Sequence, residues 1–295
     1  PTSLLAKLYK PYEVIGGLNE ESADMLGFLR GIPVIAGTMD AWCNLLGSGI
    51  ASPGYAMEIA GTSEIIGLLS RNNGEAKSGI ICIPFSKEFF FYGGPTQSGG
   101  DSLRWFIEKF KCLTNSSSTK IENEYFNVID KVKNIRPGSD GLLFLPYLAG
   151  ERTPLWDPYA RGAFIGITKE HNKNHFTRAI LEGVGYSIRH VLELAEKEAN
   201  YHVENIRTSG GGAKSDVWND IDGKKRKTHI YKLKISETAI LGAAILAGYG
   251  IKIFDSFDNA LREMVHVDQI FMPDIRNYDM YSKSFKIYKS LYPLL

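Results

Sequence analysis

Three apolar runs in this chain each end in a glycine-bearing turn: Gly37 to Asp40, Gly61 to Ser63, and Gly210 to Ala213. Backbone amides exposed in such turns can cradle phosphate oxygens, the more so where a helix starts directly afterwards. The second and third turns suit a nucleotide. Taken singly, each is equally well a plain tight turn. None fits the GxxxxGK[ST] loop, and Gly210 to Gly212 lack the spacing of a dinucleotide fingerprint. Asp40 is the candidate for acid or base work, because it sits among the small residues Gly37, Thr38 and Ala41 between an apolar run and a helical pattern. The alternative is an N-cap that satisfies free amides of the next helix, and spacing does not choose between the two. Phosphoryl transfer to an alcohol needs a carboxylate to position and deprotonate the hydroxyl, with amides and Mg²⁺ to hold charge on the phosphoryl oxygens. Asp40 and the turns supply the protein's part of that inventory.

Residues 150 to 167, GERTPLWDPYARGAFIGI, are too irregular for a helix or a plain strand. Pro fixes its own φ and restrains the residue before it, while Gly permits positive φ, so the composition describes a firmly shaped loop. Its bland explanation is a surface crossing in which Arg152 and Arg161 pair with Glu151 and Asp157. Other constellations carry less. His171 and His175 are four residues apart but have no third ligand nearby and no HExxH. Ser98 and Ser215 lie outside any GxSxG elbow, and the aromatic run Phe89 to Tyr92 reads as strand rather than a base-stacking platform.

These residues need elements to position them. Residues 20 to 30 form a short helix, Ile32 to Ala36 a buried strand, and AWCNLLGSG a helix, which puts Asp40 at a strand's carboxyl end. YAMEIAGTSEIIGLL gives two strands joined by the second turn, and IICIPF with FFFYGG gives another hairpin. Asp101 to Cys112 and Ile121 to Val132 read as amphipathic helices. Leu142 to Leu145 is a short strand and Asn174 to Asn200 the longest helical pattern. Ile206 to Thr208 and HIYKLKI are strands, Glu237 to Gly248 is an Ala-rich helix, and two further helices end the chain. Hairpins first and βα alternation later predict an α/β fold with a mixed sheet flanked by helices. TNSSSTK (114–120) and KKRK (224–227) read as a solvated loop and a turn before a strand.

Composition narrows the function classes. A chain of 295 residues with 44% hydrophobic content supplies a real core. Lys plus Arg (34) balances Asp plus Glu (33), leaving no field for nucleic acid or an anionic membrane. The longest apolar stretch, AILGAAILAG, falls short of the roughly 20 residues that span a bilayer. Cys43, Cys82 and Cys112 are odd in number and lack a CxxC, which points to reduced thiols and a cytoplasmic location.

Assembled in order, AGTMDA (36–41), GTSE (61–64), SGGDSLRWF (98–106), LPYLAGERTPLWDPYARGAFIGI (145–167), SGGGAKSDVW (209–218) and SETAILGAAILAG (236–248) resemble the FGGY family of carbohydrate kinases. The resemblance covers nearly the whole chain and is closest in style to the xylulokinase-like branch. It implies an actin-like (ribonuclease H-like) ATPase lobe and ATP-dependent phosphorylation of a sugar or polyol. A pentulose such as xylulose is favoured, with ATP and Mg²⁺ as cofactors. Carried over by position, it implies Asp40 as catalytic base, and Gly61 and Thr62 at the ATP phosphates. Gly100 and Arg104 would line the nucleotide cleft, Arg104 standing where some relatives have Gln. Gly211, Gly212 and Ala213 would pack on the adenosine, with Asp216 near the adenine edge. No metal ligand is assigned in this chain.

The resemblance also implies that residues 1–48 are the end of an amino-terminal, sugar-binding lobe that carries Asp40, and that 49–295 are the carboxyl-terminal nucleotide-binding lobe. The family's first lobe would precede AGTMDA by some two hundred residues, so the chain is expected to be a fragment of a longer kinase, inactive when isolated. Two departures concern the site. The spacing from Trp218 to Asp220–Gly223 implies the loss of about one helical turn, and Glu64 stands where many relatives have Gly, beside the expected phosphates. The competing functions are a degenerate nucleotide-binding lobe without kinase activity and an actin-like ATPase. Partners are a small-molecule sugar or polyol, with a homodimer left open.

Overall fold

A computed structural model describes residues 4–110 and 121–294. Cys112 and the TNSSSTK segment lie outside them. The chain forms two compact units, Pro1–Ala51 with Glu237–His266, and Ser52–Ser236 with Val267–Leu295. A division at residue 48 kept Glu237–His266 with the second lobe, whereas the structure groups them with the first unit.

In the first unit, β1 (Val14–Gly17) and β2 (Pro33–Ile35) pair antiparallel on either side of α1 (Glu20–Leu26). The IPVIA run was expected to be buried, yet every residue of β1 is exposed and Val34 is 38% exposed. A two-stranded ribbon leaves most of its surface to solvent, and Ile35 is the residue of β2 that reaches α7, beside Gly250. α2 (Asp40–Gly47) and α7 (Thr238–Gly250) hold the unit together. Their backbones touch: a Cβ on Gly47 would lie 1.8 Å from the Thr238 carbonyl oxygen, and one on Gly242 would lie 1.9 Å from that of Cys43. Such contact leaves room for no side chain, and Thr238 Oγ1 donates to Asn44 Oδ1 (2.8 Å) across it. α8 (Phe257–Met264) then buries Ala260 against Leu241 and Ile245 of α7.

The second unit is built on a sheet of seven strands among the described residues, ordered β11-β10-β9-β3-β4-β6-β5. β3 (Ala56–Ala60), β4 (Glu64–Ser70), β5 (Ile81–Pro84) and β6 (Phe90–Pro95) form an antiparallel meander. β9 (Asn205–Ser209) and β10 (His229–Leu233) join β3 in parallel. β11 (Val267–Phe271) closes the edge antiparallel to β10. β11 was not expected: four of its five residues are exposed, so the sequence carries almost no buried-strand signal. A second small pair, β7 (Leu143–Leu145) with β8 (Ala163–Ile165), ends the GERTPLWDPYARG segment as a regular strand after all.

α5 (Lys173–Ala199) runs through the unit's core. Asn172 caps it in a reciprocal capping box with His175, which gives that histidine a structural place at the helix start. From its middle onward the helix buries Ile188, Val191 and Leu192 against Ile66, Leu68 and Ile206 of the sheet. Its first turns bury Ile180, Leu181 and Val184 against α3 (Gly100–Lys109) and α6 (Asp216–Arg226) through Leu103, Phe106 and Trp218. α4 (Ile121–Asp130) and α9 (Ile275–Leu291) complete the cover. The expected mixed sheet flanked by helices is what the chain builds.

Candidate nucleotide and catalytic site

β3 and β9 are parallel neighbours with Ile59 opposite Ser209, so the turns that follow them open side by side at the strands' carboxyl ends, where ligands meet open α/β sheets. Gly210 has φ 90°, and a Cβ there would lie 2.6 Å from the Ala60 carbonyl oxygen. Only glycine meets both demands. The start of α3 is tied to the same place. The amide of Gly99 donates to Thr62 O (2.9 Å), that of Gly100 to Gly61 O (2.9 Å) and that of Asp101 to Thr62 O (3.1 Å). These bonds leave the amides of Thr62 and Ser63 without an internal partner among the described residues.

Two cavities open on this junction. The larger, about 530 Å³, has walls of Leu103, Tyr125, Phe126, Ile129 and Trp218, with Glu108, Lys214 and Ser215 as polar groups. The smaller, about 340 Å³, is lined by Gly61, Thr62 and Asp101. Gly100, Arg104, Gly211 and Gly212 line both. Six of the expected nucleotide residues therefore converge on one place. Ala213 is buried beneath them. Asp216 lines neither cavity; it is the first residue of α6 and pairs with Lys232 Nζ at 3.0 Å. Asp40 belongs to the first unit. There it is the first residue of α2, exposed, with Met39 rather than Asp40 at the N-cap, and its Oδ1 accepts from the Ala41 amide at 2.8 Å.

The aromatic and apolar wall of the larger cavity was not singled out from the sequence. Its signal was the inner faces of three helices, α3, α4 and α6, which are indistinguishable from ordinary core until the helices are placed. The short spacing after Trp218 leaves no break in the helix: α6 runs continuously from Asp216 through Gly223 to Arg226. Glu64 does not confront the cavity either. It is 3% exposed, its Cγ lies 2.5 Å from where a Cβ on Gly99 would sit, and burial pushes its carboxyl well above the usual range.

Support comes from two buried systems. The ERTPLWD strap clamps the segment leading into α3: Glu151 accepts from the amides of Gln97 (2.5 Å) and Arg152 (2.8 Å), and Arg152 Nη2 donates to Thr96 O (2.5 Å). In place of the ion pairs of the bland alternative, these are bonds to backbone groups, and Arg161 likewise donates to Pro158 O and Ala160 O. Burial raises the Glu151 carboxyl to about 7. Beneath the sheet, KKRK is no solvated turn. Lys225 and Arg226 end α6 with buried side chains, Arg226 meeting Glu58 Oε1 of β3 at 2.7 Å and Lys225 meeting Asp222 Oδ1 at 2.9 Å. Lys225 also donates to the carbonyls of Leu181 (3.2 Å) and Glu182 (3.3 Å) in α5.

Among the described residues no three His, Cys, Asp or Glu side chains converge as a metal cage. Asp101 is the one carboxylate on the smaller cavity and is engaged by Arg104. These residues do not by themselves fit a resident Mg²⁺.

A mixed sheet flanked by helices, with glycine turns at the carboxyl ends of its central parallel strands, is the architecture of an actin-like ATPase lobe. Residues 56–251 match the C-terminal domain of the FGGY family of carbohydrate kinases. The xylulose kinase of Staphylococcus epidermidis is 32% identical over 288 residues, covering 97% of this chain and 56% of its own length. The gluconokinase of Bacillus subtilis is 34% identical over 263 residues, 88% of this chain and 51% of its own. The ligand-bound xylulose kinase from Lactobacillus acidophilus superposes with a TM-score of 0.87 at 26% identity, over 97% of this chain and 56% of that one. The chain belongs to the FGGY family of carbohydrate kinases. It spans about half the length of the curated relatives it matches.

Proposed function

We propose that this chain carries the nucleotide-holding lobe and the catalytic base of an ATP-dependent kinase that phosphorylates a hydroxyl of a sugar or polyol. The observation that carries the reading is the convergence of Gly61, Thr62, Gly100, Arg104, Gly211 and Gly212 on adjoining cavities at the ends of parallel strands. A larger cavity with aromatic walls suits a base, and its volume lies in the range of small-molecule sites. The smaller one, walled by Gly61, Thr62, Gly100, Gly211 and Gly212 with Arg104, suits phosphates. ATP supplies the transferable phosphoryl group when bound. Asp40, held by the Ala41 amide, offers a fixed carboxylate to orient the acceptor hydroxyl and take its proton.

Residues 1–48 are read as the end of the sugar-binding lobe, and the exposed apolar side chains there, among them Leu8 (93%) and Met25 (81%), support a further lobe that covers them. Xylulose is the favoured acceptor because relatives named xylulose kinase match almost the whole chain; gluconate and glycerol come next, after the gluconokinase and glycerol kinase relatives. The test is a nucleotide-coupled assay on the complete polypeptide with each acceptor. Asp40→Asn is expected to lower turnover by about 10²–10⁴ with ATP affinity nearly unchanged. Equal turnover in variant and wild type would overturn the role of Asp40.

A further inference from the structure

The residue shared by the two cavities that bears a charge is Arg104. It stands one helical turn beyond Gly100 on α3, and its guanidinium pairs with Asp101 three residues earlier. Both side chains are open to solvent, Arg104 51% and Asp101 36% exposed. The first amides of α3, which at most helix starts would be offered to an anion, are here spent on the carbonyls of Gly61 and Thr62. Apart from the backbone dipoles of the Gly61–Thr62 turn, the smaller cavity's positive charge comes from a side chain, and Arg104 is the one cation on its lining among the described residues.

We propose that Arg104 is a phosphate-counting residue: Asp101 holds it in the empty site, and a nucleotide's polyphosphate, but not its base and ribose, takes the guanidinium from Asp101. The inference rests on the nucleotide reading above and adds the ligand's charge as the selected feature. An exposed ion pair three residues apart is weak, being screened and dearly ordered. A di- or triphosphate brings more charge and several oxygens matched to the guanidinium fork, so it outcompetes one carboxylate. A nucleoside brings none and leaves the Arg104–Asp101 pair intact. Asp101 thus sets a threshold: it shields the cavity's positive charge from weakly charged ligands and yields to strongly charged ones. Position explains why this residue has the role, since it lies where the base-sized and phosphate-sized cavities meet.

The experiment is calorimetric titration of the folded chain, its fold checked by circular dichroism, with adenosine, AMP, ADP and ATP. The variants are Arg104→Gln and Asp101→Asn. In the wild type, affinity is expected to climb with phosphate number. Arg104→Gln should weaken ADP and ATP about tenfold or more while leaving adenosine within about twofold, and Asp101→Asn should strengthen ADP and ATP and flatten the difference between AMP and ADP. Equal loss across all four ligands, or no loss for ATP, overturns the role of Arg104 while leaving the nucleotide site standing. Absence of binding by any of the four to folded wild type overturns the nucleotide reading itself and the inference with it.

Discussion

Glu151 and Arg226 show how single buried charges act here. The Glu151 carboxyl titrates at about 7 against an ordinary 4.5, because burial disfavours its charged form. Between those values the unfolded chain has released the proton and the folded chain has kept it. The stability this residue contributes is therefore full below about pH 4.5 and is lost as pH rises through about 7, a change on the order of 3 kcal/mol. Glu151→Gln should flatten that part of the slope in thermal melts compared at about pH 5 and about pH 8; an unchanged slope would contradict it. Arg226 answers Glu58 where neither reaches water. Arg226→Met strands a buried carboxylate and is expected to cost about 3–5 kcal/mol by urea unfolding, with much of that recovered when Glu58→Gln is added.

At the scale of elements, α2 and α7 meet backbone to backbone, and a methyl group at Gly242 would collide with the Cys43 carbonyl. Gly242→Ala should cost about 1–3 kcal/mol or more. Hydrogen exchange should quicken in α2 and α7 and stay slow in β3, β4 and β9; a uniform response would show that the helix pair is not a separate cooperative element. Much of this architecture was legible in advance. The GTS turn between two strands, the helical periodicity of Asn174 to Asn200 and the Gly210 turn are local signals, written in residues a few positions apart. What was not legible is tertiary. β11 looks polar because one face of an edge strand meets solvent, and KKRK looks soluble because its partners, Glu58 and the α5 carbonyls, lie far away in sequence. For the candidate site, the glycines announced themselves, whereas Trp218 and Phe126 become a cavity wall only once α3, α4 and α6 are brought together.

For the whole molecule, large apolar side chains stand exposed along the first unit's amino-terminal segment, from Leu4 and Leu5 through Phe28 and Leu29. Surface of that kind binds hydrophobic dyes and promotes self-association. The isolated chain is expected to do both, and Met25→Glu combined with Leu29→Glu should reduce dye fluorescence and sedimentation as larger species; no change would place the sticky surface elsewhere. The order of synthesis adds to the burden. α2 is made early, but its partner α7 lies nearly two hundred residues later, on the far side of the whole seven-stranded sheet's first six strands. At about 5–20 residues per second the ribosome leaves α2 unpartnered for roughly ten to forty seconds. During that interval Leu45 and Leu46, buried in the finished protein, are open to any passing chaperone or neighbouring nascent chain, so the yield of folded protein is expected to depend on translation speed as well as on stability.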